Sequence, residues 1–112
     1  MATTITWGLH ASSKPADTAE AALLLAGQNE EYNGVLRVCN QDTKARTYYV
    51  AHCADSGEAQ EKEWIAYATE IDAGEAPHEY SLHIGNEEEI RIRVSEANTI
   101  SFHFSGEKKV VS

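Results

Sequence analysis

YSLHIGNEEEIRIRVSEANTISFHFSG, residues 80–106, decides the fold. Tyr80, Leu82 and Ile84 alternate with Ser81 and His83, and Ile90, Ile92 and Val94 alternate with Arg91 and Arg93. Ile100, Phe102 and Phe104 alternate in the same way with Ser101 and His103. Successive side chains of an extended strand point to opposite faces, so a period of two means strands; an amphipathic helix would space its apolar residues three and four apart. One apolar and one polar face per strand is the pattern of an antiparallel sheet with water on one side. Gly85-Asn86 and Glu96–Thr99 supply the breaks.

The same period extends upstream. Trp64–Ile71 sets Ile65, Tyr67, Thr69 and Ile71 on one face and Trp64, Ala66 and Ala68 on the other. Arg46–Cys53 sets Tyr48, Val50 and His52 against Tyr49, Ala51 and Cys53, so one of the two adjacent tyrosines faces solvent or a partner. Gly34–Asn40 alternates too, and with a turn at Gln41–Ala45 it is expected to pair with Arg46–Cys53 as a hairpin. Thr4–His10 places Ile5, Trp7 and Leu9 on one face; Ala11–Asp17, small and polar with Pro15, reads as a connection. Thr18–Gly27 leaves two readings open. Asp17 with Glu20 resembles a capping box and Gly27 a helix stop, whereas the apolar block Ala21–Ala26 suits a buried strand.

Seven or eight strands in one 112-residue chain predict an all-β fold: an antiparallel β-sandwich, jelly-roll or immunoglobulin-like. The expected organisation is an N-terminal strand or arm with its connection at 1–17, the sandwich at 18–106 and a C-terminal tail at 107–112. Leu36, Val38, Ile90, Ile92, Phe102 and Phe104 are the expected core. A domain of this size buries roughly two thirds of its unfolded surface and needs no metal or disulfide to hold it.

The charge narrows the function classes. Eighteen acidic residues against nine basic ones leave a net charge of −9. Such a field repels phosphate backbones and anionic membrane surfaces, so neither nucleic acid nor membrane is an expected partner. No run approaches the roughly 18 apolar residues of a spanning helix. Met1–His10 lacks the basic start and apolar run of a secretory signal. A turn centred near Thr43 would set Cys39 opposite Thr47 rather than Cys53, so two free thiols are expected, in keeping with synthesis in a reducing cytoplasm.

Catalytic and metal patterns are weak. The five histidines show neither HxH nor HExxH spacing; His83 and His103 would approach each other only if their strands were neighbours. Asp55–Glu61 is rich in carboxylates but lacks the ligand spacing of a calcium loop, and Glu87-Glu88-Glu89 reads as a soluble turn. There is no GxSxG elbow, phosphate-binding loop or GxGxxG. No catalytic residue, metal ligand or cofactor is expected, and the chain reads as a non-enzyme. Arg91 and Arg93, on an outer face near Glu88 and Glu96, form either a partner-binding strip or ion pairs within the domain. With Ile5, Trp7 and Leu9 they are the expected partner-binding residues.

From Leu36 onward the chain resembles small bacteriophage virion proteins of the tail-fibre, decoration and head-surface type. The likeness is carried by Leu36-Arg37-Val38-Cys39-Asn40, Ala45-Arg46-Thr47, Trp64-Ile65-Ala66-Tyr67, Glu89–Ser95 and Ile100–Gly106, in that order. It covers about two thirds of the chain and favours a strand over 18–26. Where family members enter the first clear strand through Pro-Ala-Gly, this chain has Ala26-Gly27 alone, and Met1–Asp17 has no counterpart. The resemblance implies a non-catalytic particle component, commonly oligomeric, located in the virion and made in the host cytoplasm. Its partners would be other virion proteins, such as a major capsid or tail protein. Capsid decoration is the first expectation; a tail or fibre-associated protein, or a carbohydrate-binding sandwich module, is the alternative. Thr4–His10 is expected to reach a neighbouring subunit as an arm, most simply in a trimer, with folding back on its own domain as the rival.

Overall fold

The alternation becomes eight antiparallel strands in a computed structural model that describes residues 2–55 and 57–112. They are β1 (Thr3–Ser13), β2 (Ala21–Leu25), β3 (Glu30–Asn40), β4 (Arg46–Cys53), β5 (Trp64–Ile71), β6 (His78–Ile84), β7 (Glu89–Val94) and β8 (Ile100–Val111). One sheet has the order β1-β8-β3-β6 and the other β2-β7-β4-β5. This is the order of a jelly roll, two interlocked Greek keys, and it decides between the two sandwiches expected from the sequence. The segment 18–26 contributes a strand, β2, not a helix.

Only β4 and β5 are both consecutive and paired; every other link crosses between sheets. The expected hairpin of Gly34–Asn40 with Arg46–Cys53 is therefore not formed. β3 pairs with β6 and β8, while β4 pairs with β5 and β7. Asn40 explains the crossing. Its buried carboxamide donates to the carbonyls of Lys44 and Ile71, and its oxygen accepts the Asp42 N–H. These bonds turn the chain from one sheet to the other, so Leu36 and Val38 face Tyr48 and Val50 across the core instead of lying beside them. Cys39 and Cys53 stand on different sheets and are both free.

The core is the interior of this sandwich. Leu36, Val38, Tyr48, Val50, Ile71, Ile84, Ile90, Val94, Ile100, Phe102 and Phe104 are fully buried, and Ile92 nearly so. All six residues expected in the core are among them. Tyr48 is inside and Tyr49 outside, as their adjacency requires.

Two further expectations are corrected. Glu107–Val111 is no tail; it continues β8 and pairs with both β1 and β3. Lys108 and Lys109 are set beside Glu30 and Glu31, so their charges are paired across the strands. Nor does β5 keep its two faces apart. Its register against β4 shifts twice, around Ile65 and again at Ala68, whose φ is +50°. Extra residues at bulges reverse the alternation. Ala66 and Ile71 thus point inward, while Ile65 and Tyr67, assigned to the same face as Ile71, are exposed.

The sheets differ in length. At about 3.3 Å per residue the twelve residues of β8 span roughly 40 Å and the six of β7 half that. The first sheet therefore overhangs the second, and the molecule is 50 Å long but only 27 by 21 Å across. Gly8, Gly106 and Gly34 form one row across β1, β8 and β3. There β3 and β8 approach so closely that a Cβ on Gly106 would lie 2.5 Å from the Asn33 carbonyl oxygen.

Candidate functional site

The two outer faces carry the candidate residues. β1 is an edge strand, paired with β8 on one side. Within the single chain it pairs in its own domain's sheet, the fold-back that stood as the rival to an arm reaching a neighbour. Thr3–Leu9 is exposed at every position, on both faces. Leu9, Trp7 and Ile5 lie opposite Ser105, Glu107 and Lys109, on the face away from the core, with 59%, 71% and 52% of their surface in solvent. A bulge at His10 restores the inward direction for Ala11, which packs on the core. His10 itself donates from Nε2 to the Gly106 carbonyl at 3.0 Å and sets its ring against Tyr32. Nothing in the domain requires three large apolar side chains on this outer stripe.

The second sheet's outer face is covered in part by the β4–β5 connection. Arg91, from β7, is nearly buried there. Its Nε donates to Glu20 Oε2 at 2.5 Å and its Nη1 to Glu89 Oε1 at 3.0 Å. The same carboxylates accept backbone N–H groups of that connection, Glu20 from Ala59 and Glu89 from Gly57. The Glu89 side chain is only 4% exposed, so it is not part of a soluble turn; its charge is held by Arg91. Arg91 therefore serves the domain, paired with Glu20 and Glu89 rather than the expected Glu88 and Glu96. Cys53, beside this cluster, has its thiol pushed up to about 11 by burial and then by the negative fields of Glu63 and Glu89.

Arg93, one pleat along, behaves differently. It is exposed, and its guanidinium lies 4.8 Å from the centre of the Tyr49 ring. Tyr49 meets Trp64 and Tyr67 edge-on at 5.9 and 5.0 Å, and Trp64 meets Tyr67 at 5.9 Å. Trp64, Tyr67 and Arg93, backed by Tyr49, form one wall of an open cleft of about 670 Å³, completed by Glu20, Glu58, Ala59 and Glu61. Strict alternation assigned Trp64 and Tyr67 to opposite faces; the bulge around Ile65 brings them together.

The remaining candidates are structural. β3 lies between the strands of His83 and His103, so the two do not meet. Among the described residues no group of three His, Cys, Asp or Glu side chains is placed to hold a metal ion; Ser56, within the acidic loop Asp55–Glu61, lies outside them. Glu88 accepts the Gly85 N–H and bonds His52 at 2.8 Å. Glu75, His78, Tyr48 and Tyr80 form a hydrogen-bonded chain at one end of the sandwich. Burial first, and Tyr80 second, push the Tyr48 phenol far above its ordinary range, so it stays protonated and acts as a buried tie between the sheets.

No protein-family model and no curated protein matches this chain. Among solved structures it is similar to that of infectious bursal disease virus Gx strain, with 13% identity, a TM-score of 0.50, and coverage of 97% of this chain and 32% of that one. The VP2 subviral particle of the same virus gives 13% identity and a TM-score of 0.46, covering 96% of this chain and 32% of the other. The Clostridium thermocellum endo-1,4-beta-D-xylanase 10B, with its CBM22-1 and GH10 modules, gives 19% identity and 0.33, covering 98% and 25%. At these identities the likeness is one of fold, and the chain spans about a third of the viral chains it matches. It is an all-β sandwich of a kind found in virus structures.

Proposed function

We propose that this protein is a non-catalytic structural component of a bacteriophage virion, a decoration protein seated on the capsid that binds other virion proteins. The observation that carries the reading is the exposed stripe Ile5, Trp7 and Leu9 on the free edge strand of a jelly roll. An edge strand presents unpaired N–H and C=O groups, and apolar side chains beside it add affinity for another strand or a flat partner. Thr3–Ser13 carries no Asp, Glu, Lys or Arg, so the −9 net charge is not concentrated where contact would occur. The fold shared with a virus structure and the order of motifs shared with phage virion proteins support the same reading.

Self-association fits the same edge. Two β1 strands paired antiparallel about Trp7 set Ile5 opposite Leu9, apolar against apolar. With β1 on its own sheet, such an edge-to-edge pair forms without unfolding either chain; exchange of arms in a trimer is the alternative that sedimentation of the purified protein separates from it.

The test is to identify the chain by mass spectrometry in purified particles and place it by cryo-microscopy. Density on the capsid surface with β1 at the contact is the expected result. Density on the tail or fibre would move the protein to the alternative location, and absence from the particle would end the proposal.

A further inference from the structure

We infer that the cleft on the outer face of the second sheet is a binding site for a neutral oligosaccharide. The inference is independent of the virion reading, since the cleft lies on the opposite sheet from β1. Three observations carry it.

The first is the aromatic corner. The planes of Trp64 and Tyr67 meet at 75°, and Tyr67 is 67% exposed. Such a corner offers one ring face for a pyranose to stack on and a second ring at its side. The C–H-rich face of a sugar is apolar while its rim is hydroxylated, so it suits an aromatic surface bordered by polar groups. Among the described residues no hydrogen bond engages the Trp64 indole N–H or the Tyr67 hydroxyl, leaving both for a ligand.

The second is the mixed charge of the rim. Glu58 and Glu61 have no ion-pair partner among the described residues, and Glu20 adds a third carboxylate. An acidic sugar would meet all three. A cationic side chain would be drawn to the carboxylates but would meet Arg93, which lies over Tyr49, at the aromatic corner itself. A neutral hydroxyl both donates and accepts, so it can give a hydrogen bond to a carboxylate and take one from the guanidinium. Adjacent hydroxyls match the planar fork of Arg93.

The third is how the corner is built. Tyr67 and Trp64 share a face only because β5 carries a bulge around Ile65, between them. A bulge weakens pairing, and it commonly re-aims a side chain toward a functional surface. The same bulge turns Ala66 to the core and leaves Tyr67 mostly in solvent.

The test uses the intact protein and NMR titration, following the Trp64 indole N–H. The probes are neutral hexasaccharides (cello-, xylo- and malto-hexaose), a hexagalacturonate as acidic counterpart, and hexalysine as cationic counterpart. At least one neutral hexamer is expected to shift the Trp64 signal saturably at millimolar concentrations or below. Tyr67→Ala and Arg93→Ala should each weaken that binding about tenfold or more, as loss of a stacking ring or a two-pronged donor does. Trp7→Ala, on the other sheet, should leave it unchanged. Tyr67 is exposed, so its variant remains folded and keeps the test valid if Trp64→Ala does not. The inference is overturned if no neutral hexamer shifts the signal, if hexagalacturonate or hexalysine binds more tightly, or if binding survives both substitutions.

Discussion

Trp7 on β1 and Tyr49 on β4 are both outward-facing aromatic residues, yet their surroundings are opposites. Trp7 stands on a free edge, 71% exposed, among threonines. Tyr49 is enclosed by Trp64, Tyr67 and Arg93, beside an arginine that is itself held by two carboxylates. The second sheet has satisfied most of its outer face from within the chain, and what remains open is a small polar-rimmed cleft. The first sheet has left its edge and an apolar stripe unsatisfied. A cleft suits a small ligand and a bare edge suits a protein.

The largest expected effect separates Arg91 from Arg93. Arg91→Ala leaves the Glu89 carboxylate buried without its cation, and should cost roughly 3 kcal/mol, the low end for breaking a buried pair because Glu20 remains partly solvated. Arg93→Ala should cost less than about 1 kcal/mol. Urea unfolding of the two variants measures both; equal costs would erase the distinction between a fold-serving and a ligand-serving arginine.

Much of this fold was legible in the sequence because alternation is strict wherever one face of a strand is core. Leu36, Val38, Ile90, Ile92, Phe102 and Phe104 needed nothing else. Strand partners were not legible. The same alternation suits a hairpin or a crossing to the other sheet, and Asn40 decides only through bonds to Lys44 and to Ile71, far along the chain. The stripe Ile5, Trp7 and Leu9 was visible as a stripe, but whether it would lie inward or outward depended on a one-residue bulge at His10. The cleft was hidden for the same reason: a bulge leaves no clear mark in composition, and the one around Ile65 brought together residues that a period of two keeps apart.

A smaller effect comes from acid. Burial raises the Glu88 pKa, but the Gly85 N–H and His52 outweigh it and hold the carboxyl below its ordinary 4.5. A folded value below the unfolded one stabilises the native state above that ordinary value, and the gain is lost as pH falls through the folded value. Between about pH 6 and about pH 3, wild type should lose on the order of 1 kcal/mol relative to Glu88→Gln, which has no proton to bind there. Parallel unfolding curves over this range would show that the turn at 85–88 does not contribute to the self-sufficiency of the second sheet.

The smallest effect leaves stability untouched. Cys53 is 1% exposed and its thiol is raised to about 11, so native-state alkylation should spare it, whereas half-buried Cys39 on the first sheet should be labelled first. Mass spectrometry during labelling reads the order; simultaneous modification would mean that the cover over the second sheet opens readily.

The central claim is that the β1 stripe serves a partner and not the fold. It is tested most directly by comparing wild type with the triple variant Ile5→Thr, Trp7→Thr, Leu9→Thr for binding to particles stripped of this protein, with thermal unfolding of both chains alongside. The account predicts a variant that unfolds within a few degrees of wild type, since exposed positions contribute less than about 1 kcal/mol each, and that no longer binds. A variant that binds as well as wild type, or one that fails to fold, would contradict it.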